Sequence, residues 1–120
     1  MHETGISAYF RGDRIRIMFK TFEDLGHPEY IHLRLNAQKK HLFVEKCEWN
    51  KNSFRLEYDG DRIKYKSCYI HTKRFLRYMA AVIGVPADSP TLRFKGQLLP
   101  DGRVFVDLNE YKVVKIERKK

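Results

Sequence analysis

The stretch IHTKRFLRYMAAVIGV, residues 70–85, has the pattern of a full-length α-helix, whereas the segments around it have the pattern of strands. Its apolar residues recur at spacings that place them on one side of a helix with 3.6 residues per turn. They are Phe75, Leu76, Met79, Ala80, Val82 and Ile83. Thr72 or His71 can start this helix, Gly84 can end it, and Pro86 prevents its continuation. We therefore predict an amphipathic helix over residues 72–83 whose apolar side needs a sheet or another helix to cover it.

Alternation of apolar and polar residues predicts β-strands through most of the remaining chain. The clearest strand covers residues 30–36, in which Ile31, Leu33 and Leu35 face inward. Short turn sequences join neighbouring strands into hairpins, and Gly12 is expected to supply the positive φ of the first turn. Strands joined by such short turns pair antiparallel.

A second, much shorter helix is predicted over residues 22–25, because residues 21–24 (TFED) have the form of a capping box. Strands outnumber helices, so the predicted fold class is α+β, a largely antiparallel sheet of hairpins with the long helix packed on one face. A chain of 120 residues is the size of one domain. We assign residues 1–112 to this domain and residues 113–120 to a basic C-terminal tail.

The net charge of +9 is unevenly distributed along the chain. Residues 1–60 hold 10 Lys and Arg against 9 Asp and Glu, whereas residues 61–120 hold 14 against 6. This asymmetry favours an anionic partner, and nucleic acid is the commonest anionic partner of a cytosolic protein. No apolar run approaches the length of a membrane span, and the first residues lack the features of a signal peptide. We therefore expect a cytoplasmic protein with no membrane association.

The sequence contains no established pattern of a catalytic or metal site. Its histidines and cysteines include no C-x-x-C, H-x-x-x-H or H-E-x-x-H spacing, so we expect no metal and no other cofactor. Cys47 and Cys68 are predicted to be reduced thiols, and no third group is indicated that would orient Cys68 and His71 as nucleophile and base. Asp107 and Glu110 are more simply explained as an end-cap or partner contact than as metal ligands. We predict no enzymatic activity.

Cations recur with period two on the predicted strands, so each strand presents a line of positive charge from one sheet face. If the apolar alternates face the helix, these lines share the opposite face, where they suit phosphate contacts and a tyrosine offers a stacking surface. An ordinary solvated sheet face, on which Lys and Arg deter edge pairing, has the same pattern. The candidate nucleic-acid-binding residues are Arg14, Arg16, Tyr30, His32, Arg34, Arg62, Lys64, Lys66, Arg93 and Lys95.

Parts of the chain resemble a group of small uncharacterised proteins carried by phages and integrative elements of Firmicutes. The resemblance covers roughly residues 15–110 and rests on GHPEYIHLRLNAQKKHLFVEKC, and on RFLRYMAAVIG followed by LRFKGQLLPDGRVFVDLNE. It implies mobile-element regulation or DNA handling, and it brings no functional residue. In outline, the arrangement is also similar to TATA-binding-protein-like folds, in which helices lie on one side of a curved sheet.

These features together lead us to expect a non-enzymatic nucleic-acid-binding protein, with DNA favoured over RNA, that contacts phosphates with a basic sheet face. Such a protein would act as a regulator or accessory factor of a mobile element. The alternative is a protein-interaction module that docks an acidic partner, or that self-associates through strand edges and exposed aromatic residues such as Trp49 and Tyr111. Either a monomer or a homodimer is compatible with both functions.

Overall fold

A computed structural model describes residues 4–58 and 68–114. The elements in these ranges are β1 Gly5–Tyr9, a 3-10 turn Phe10–Gly12, β2 Arg14–Ile17, α1 Phe19–Asp24, β3 Tyr30–Asn36, β4 His41–Cys47, β5 Phe54–Arg55, β6 Glu57–Tyr58, β7 Cys68–His71, α2 Lys73–Ile83, β8 Leu92–Leu98, β9 Val104–Asp107 and β10 Lys112–Val113. All pairs between these strands are antiparallel, so the predicted α+β class and largely antiparallel sheet are confirmed. Neither helix in these ranges is long and apolar enough to cross a membrane.

The sheet curls until its two ends meet. Nine of the described strands follow one another in the order β5, β3, β4, β9, β8, β1, β2, β7, β6, and β10 pairs beside β8. The first and last strands of this order, β5 and β6, are consecutive in the chain and separated only by Leu56. Leu56 is buried, and its N–H donates to the carbonyl oxygen of Glu29 at 3.0 Å. Because this segment pairs with β3 before Leu56 and with β7 after it, the sheet forms a nearly closed barrel.

Apolar side chains from alternate strand positions fill the interior of the barrel. Ile6, Ile15, Leu42, Phe94 and Val106 are at most 1% exposed and belong to one hydrophobic cluster. The alternation in the sequence therefore identified the inward residues. The alternation did not indicate that the sheet would curl and cover much of its own apolar face. The sheet closes at Leu56, the one residue between β5 and β6, and an alternating pattern does not identify such a point.

Helix α2 starts after Thr72, whose hydroxyl oxygen accepts a hydrogen bond from the Phe75 N–H at 3.1 Å. It ends at Gly84, which has a left-handed conformation with a φ of 93°. Three residues of α2 are buried and join the hydrophobic cluster, namely Leu76, Met79 and Ala80. The ring of Phe75 lies 6.1 Å from the ring of Phe54 in β5, so α2 also contacts the segment where the barrel closes.

Helix α1 differs from the prediction in both its bounds and its cap. It spans Phe19–Asp24 instead of residues 22–25, starts after Met18 and has no side-chain cap. Thr21, the predicted capping residue, lies within the helix and is buried. Its hydroxyl accepts a hydrogen bond from the Gly5 N–H at 2.6 Å and donates one to the Gly5 carbonyl oxygen at 2.7 Å. The capping-box prediction was wrong because this hydroxyl bonds to β1 and not to its own helix.

The first turn also differs from its prediction. The positive φ of the first turn, 56°, belongs to Asp13 and not to Gly12, because residues 10–12 form a 3-10 turn with Phe10 buried inside. In the third hairpin, the predicted return strand at residues 63–67 lies outside the described residues. The strand that pairs with β6 in the structure is β7.

Two glycines let β1 and β8 approach closely at the point where β8 changes partners. Residues 92–95 of β8 pair with β1, whereas residues 96–98 pair with β9. A Cβ atom on Gly5 would lie 2.2 Å from the carbonyl oxygen of Phe94, and one on Gly96 would lie 3.0 Å from Cγ2 of Thr4 and 3.3 Å from Cα of Gly5. Glycine is therefore required at this corner for steric reasons.

Substitution of Gly5→Ala tests this corner. The added methyl group clashes with backbone, so we expect the free energy of unfolding to fall by about 2 kcal/mol or more, measured by urea denaturation. Gly12→Ala is the matched control, because its Cβ would have no neighbour closer than 3.8 Å, and it should unfold near the wild-type midpoint. Equal midpoints for Gly5→Ala and Gly12→Ala would contradict the close approach of β1 and β8.

Candidate nucleic-acid interface

Strand β1 brings together predicted cations that are far apart in the sequence. Its residue Ser7 pairs with Arg16 on β2 and, on its other side, with Arg93 on β8. Arg93 in turn pairs with Lys112 on β10. Residues directly opposite across a ladder point to the same face, so these cations and the small, buried Ser7 form one row on the outside of the barrel.

Two further cations extend this row along the strands. Arg14 lies two residues before Arg16, and Lys95 lies two residues after Arg93, so both share the outer face. We call Arg14, Arg16, Arg93, Lys95 and Lys112 the basic strip. Within the described residues, no carboxylate lies within ion-pair distance of any of these five side chains. None of the five charges is therefore paired directly with a carboxylate in this part of the chain. Arg93, Lys95 and Lys112 are exposed, and Arg14 and Arg16 are half-buried.

Aromatic rings hold one end of the basic strip in place. The guanidinium carbon of Arg14 lies 5.1 Å from the ring centroid of Tyr9 and 4.5 Å from that of Tyr69. Such cation–π contacts fix the side chain without removing its charge. The Nε atom of the neighbouring Arg16 is buried and has no hydrogen-bond partner among the described residues. This end of the strip therefore combines positioned guanidinium groups with two tyrosine rings.

The predicted residues of β3 lie elsewhere on the barrel. Strand β3 pairs with β4 and β5, and neither of these strands carries a residue of the basic strip. Glu45 accepts a 2.7 Å hydrogen bond from Nε of Arg34 and also lies 3.9 Å from His32, whose ring forms a hydrogen bond with Asn50. Tyr30 starts this strand beside Cys47. Tyr30, His32 and Arg34 therefore lie apart from the basic strip. The charge of Arg34 is also paired with that of Glu45.

The remaining three predicted cations, Arg62, Lys64 and Lys66, lie outside the described residues. Conversely, Lys112 belongs to the strip although the sequence did not single it out. It is the last residue of the predicted domain, and its strand, β10, is only two residues long, too short for an alternating pattern to identify.

A cavity of about 350 Å³ opens at the β8 end of the basic strip. It is lined by Arg93, Lys95, Asp107, Glu110, Tyr111 and Lys112. The Oδ1 atom of Asp107 accepts hydrogen bonds from the backbone N–H and the side-chain Nδ2 of Asn109, both at 2.9 Å. These two bonds, and to a smaller extent the charge of His41, hold the pKa of Asp107 below its usual value. The cavity therefore contains a carboxylate that stays ionised beside lysine and arginine side chains.

Neither cysteine lies in a reactive arrangement. Cys68 and His71 are three residues apart on β7 and so point to opposite faces, with Cys68 buried and His71 exposed. Burial raises the pKa of the Cys68 thiol to about 12, and the charge of Arg16 offsets this only in part. Burial and the charge of Glu45 also raise the pKa of Cys47, which is half-buried. Among the described residues, no three His, Cys, Asp or Glu side chains are placed to hold a metal ion.

Comparison with protein-family models, with curated proteins and with solved structures gives no match to this chain. The assignment of a function therefore rests on the geometry and charge described above.

Thiol reactivity tests the placement of the two cysteines. We expect Ellman's reagent near pH 8 to modify one thiol per native chain, slowly and at Cys47, because only the accessible thiolate reacts. After denaturation both thiols should react. Rapid modification of two thiols in the native protein would contradict the buried position of Cys68, and the variant Cys47→Ser identifies the reacting residue.

Proposed function

We propose that the protein binds nucleic acid, DNA in preference to RNA, without catalysing a reaction on it. The basic strip supplies the phosphate contacts, and the tyrosines beside it offer surfaces for stacking. The observation that supports this proposal is the set of five cations on β2, β8 and β10, which β1 brings together, with no ion-pair partner among the described residues. Cations that no carboxylate pairs directly are suited to phosphate contacts.

The rigidity of the basic strip favours phosphate binding over the alternative that these cations only face solvent. Arg14, Arg16, Arg93 and Lys95 are on strands whose inward neighbours are core residues, so their spacing is fixed by the ladder. Lys112, on the two-residue β10, lies opposite Arg93. Cations held in place lose less conformational entropy on binding than cations on mobile loops. The arginines, which make bidentate contacts to phosphate, occupy three of the five positions.

Removal of two exposed strip charges tests the proposal. We expect the double variant Arg93→Gln with Lys95→Gln to bind labelled DNA about tenfold more weakly than wild type at low salt, as measured by fluorescence anisotropy. The dependence of log affinity on log salt should become shallower by about 1.5, since each lost phosphate contact removes roughly 0.7 to 0.9 from the slope.

The matched control removes two exposed arginines from β3 and β5, strands that carry no residue of the basic strip. Arg34 is bonded to Glu45 and Arg55 lies 3.8 Å from Glu29, so the variant Arg34→Gln with Arg55→Gln loses the same net charge from locally paired positions. It should bind DNA within about twofold of wild type. An equal loss of DNA affinity in both double variants would indicate that binding responds to net charge alone and would contradict the role of the strip. If wild type does not bind DNA at low salt, nucleic-acid binding is excluded.

A second candidate function, docking of an acidic protein, is supported by a different surface. Trp49 is 71% exposed and Tyr78 is 48% exposed, an unusual exposure for large aromatic side chains. A groove of about 440 Å³ beside Tyr78 is lined by residues that include Lys51, Arg74 and Phe75, and by no carboxylate. Because Trp49 is the single tryptophan of the chain, its fluorescence reports on this side of the barrel. A change in its emission on addition of an acidic apolar peptide, but not of DNA, would favour this alternative.

A further inference from the structure

The cavity at the β8 end of the basic strip has a composition that simple phosphate binding does not require. Cations line it through Arg93, Lys95 and Lys112, but Asp107 and Glu110 line it as well. None of these cations lies within ion-pair distance of either carboxylate. A surface that bound only phosphate would be weakened by two carboxylates, so the cavity suits a ligand that carries both an anion and hydrogen-bond donors.

The acidic side of the cavity is held rigidly. Leu108, at the turn after β9, is buried, and its N–H donates to the carbonyl oxygen of Lys40 at 2.8 Å. Asn109 donates to the carbonyl oxygen of Lys39 at 3.1 Å and to Oδ1 of Asp107. Both bonds from Asn109 to Asp107 use Oδ1, so Oδ2 accepts no hydrogen bond from the described residues. The turn therefore presents a fixed carboxylate oxygen that can only accept.

Tyr111 supplies an aromatic surface next to this acceptor. Its ring centroid lies 5.8 Å from that of the buried Phe94, in an edge-to-face arrangement that positions the tyrosine. Even so, Tyr111 remains 41% exposed. A base that enters the cavity would thus meet a supported ring, and stacking on such rings contributes substantially to single-strand binding.

We propose that this cavity holds one unpaired nucleotide of a single strand, with its phosphate at Arg93, Lys95 and Lys112 and its base edge at Asp107 and Glu110. The proposal deepens the proposed nucleic-acid function and rests on it. A volume of about 350 Å³ is at the small end of ligand sites and suits one nucleotide, whereas a base pair within a duplex cannot enter without being unpaired.

The carboxylates favour guanine among the bases. Carboxylates accept hydrogen bonds, and the Watson–Crick edge of guanine carries two adjacent donors, N1–H and the N2 amino group. Thymine carries one donor between two carbonyl acceptors, which a carboxylate repels, and adenine and cytosine each place an acceptor next to their amino group. The site therefore selects a guanine nucleotide in an unpaired strand.

The test compares two twelve-nucleotide strands of thymidine nucleotides that differ by one central guanine. Wild type should bind the strand with guanine about fivefold or more tightly in fluorescence anisotropy at low salt. In the double variant Asp107→Asn with Glu110→Gln, this preference should fall below about twofold, because an amide presents a donor as well as an acceptor. Asp101→Asn, which changes a turn carboxylate outside the cavity, should keep the wild-type preference.

The outcomes separate this inference from the function on which it rests. Equal affinity of wild type for the two strands, with both bound, would overturn the guanine site and leave nucleic-acid binding intact. An undiminished guanine preference in the double variant would overturn the role of Asp107 and Glu110. Absence of binding to either strand and to duplex DNA at low salt would overturn both proposals.

Discussion

Strand β8 is the element on which the rest of the structure depends. It pairs with β1 along residues 92–95 and with β9 along residues 96–98, so it belongs to both halves of the sheet. Where β8 changes partner, the backbones of β1 and β8 lie too close together for a side chain at residue 5 or 96. Both positions are glycine, Gly5 and Gly96, which has no Cβ atom. The same strand carries Arg93 and Lys95 on its outer face and Leu92 and Phe94 on its inner face. One strand thus connects the two halves of the sheet, the core and the candidate interface.

Closure of the sheet also determines how the surface charge is distributed. Because the interior is filled by apolar residues, the cations of the basic strip and Arg34 lie on the outer face, and the curvature then divides them between different strands of the barrel. Glu45 on β4 pairs with Arg34 on β3. The cations on β2, β8 and β10 have no such ion-pair partner among the described residues. A basic protein can therefore have one side suited to an anion and another that is close to neutral.

The sequence predicted the parts of this structure that depend on local pattern. The bounds of β3 coincide with the predicted residues 30–36, because strict alternation specifies a strand whatever it pairs with. Features that depend on contacts between distant residues were missed. They include the bonding of Thr21 to Gly5, the closure at Leu56 and the cavity in which Asp107 and Tyr111 meet Arg93. The grouping of Arg16 with Arg93 also depends on strand order, which a periodic pattern does not specify.

Binding through the basic strip is tested most directly by an amide NMR titration of the full chain with a short DNA strand at low salt. If the strip is the interface, chemical-shift changes should concentrate on β1, β2, β8 and β10 and be weak on β3 and β4. They should diminish as salt is added, because counterion release drives phosphate contacts. Changes centred on β3, or on the surface around Trp49, would contradict the assignment of the interface, as would a spectrum unaffected by DNA.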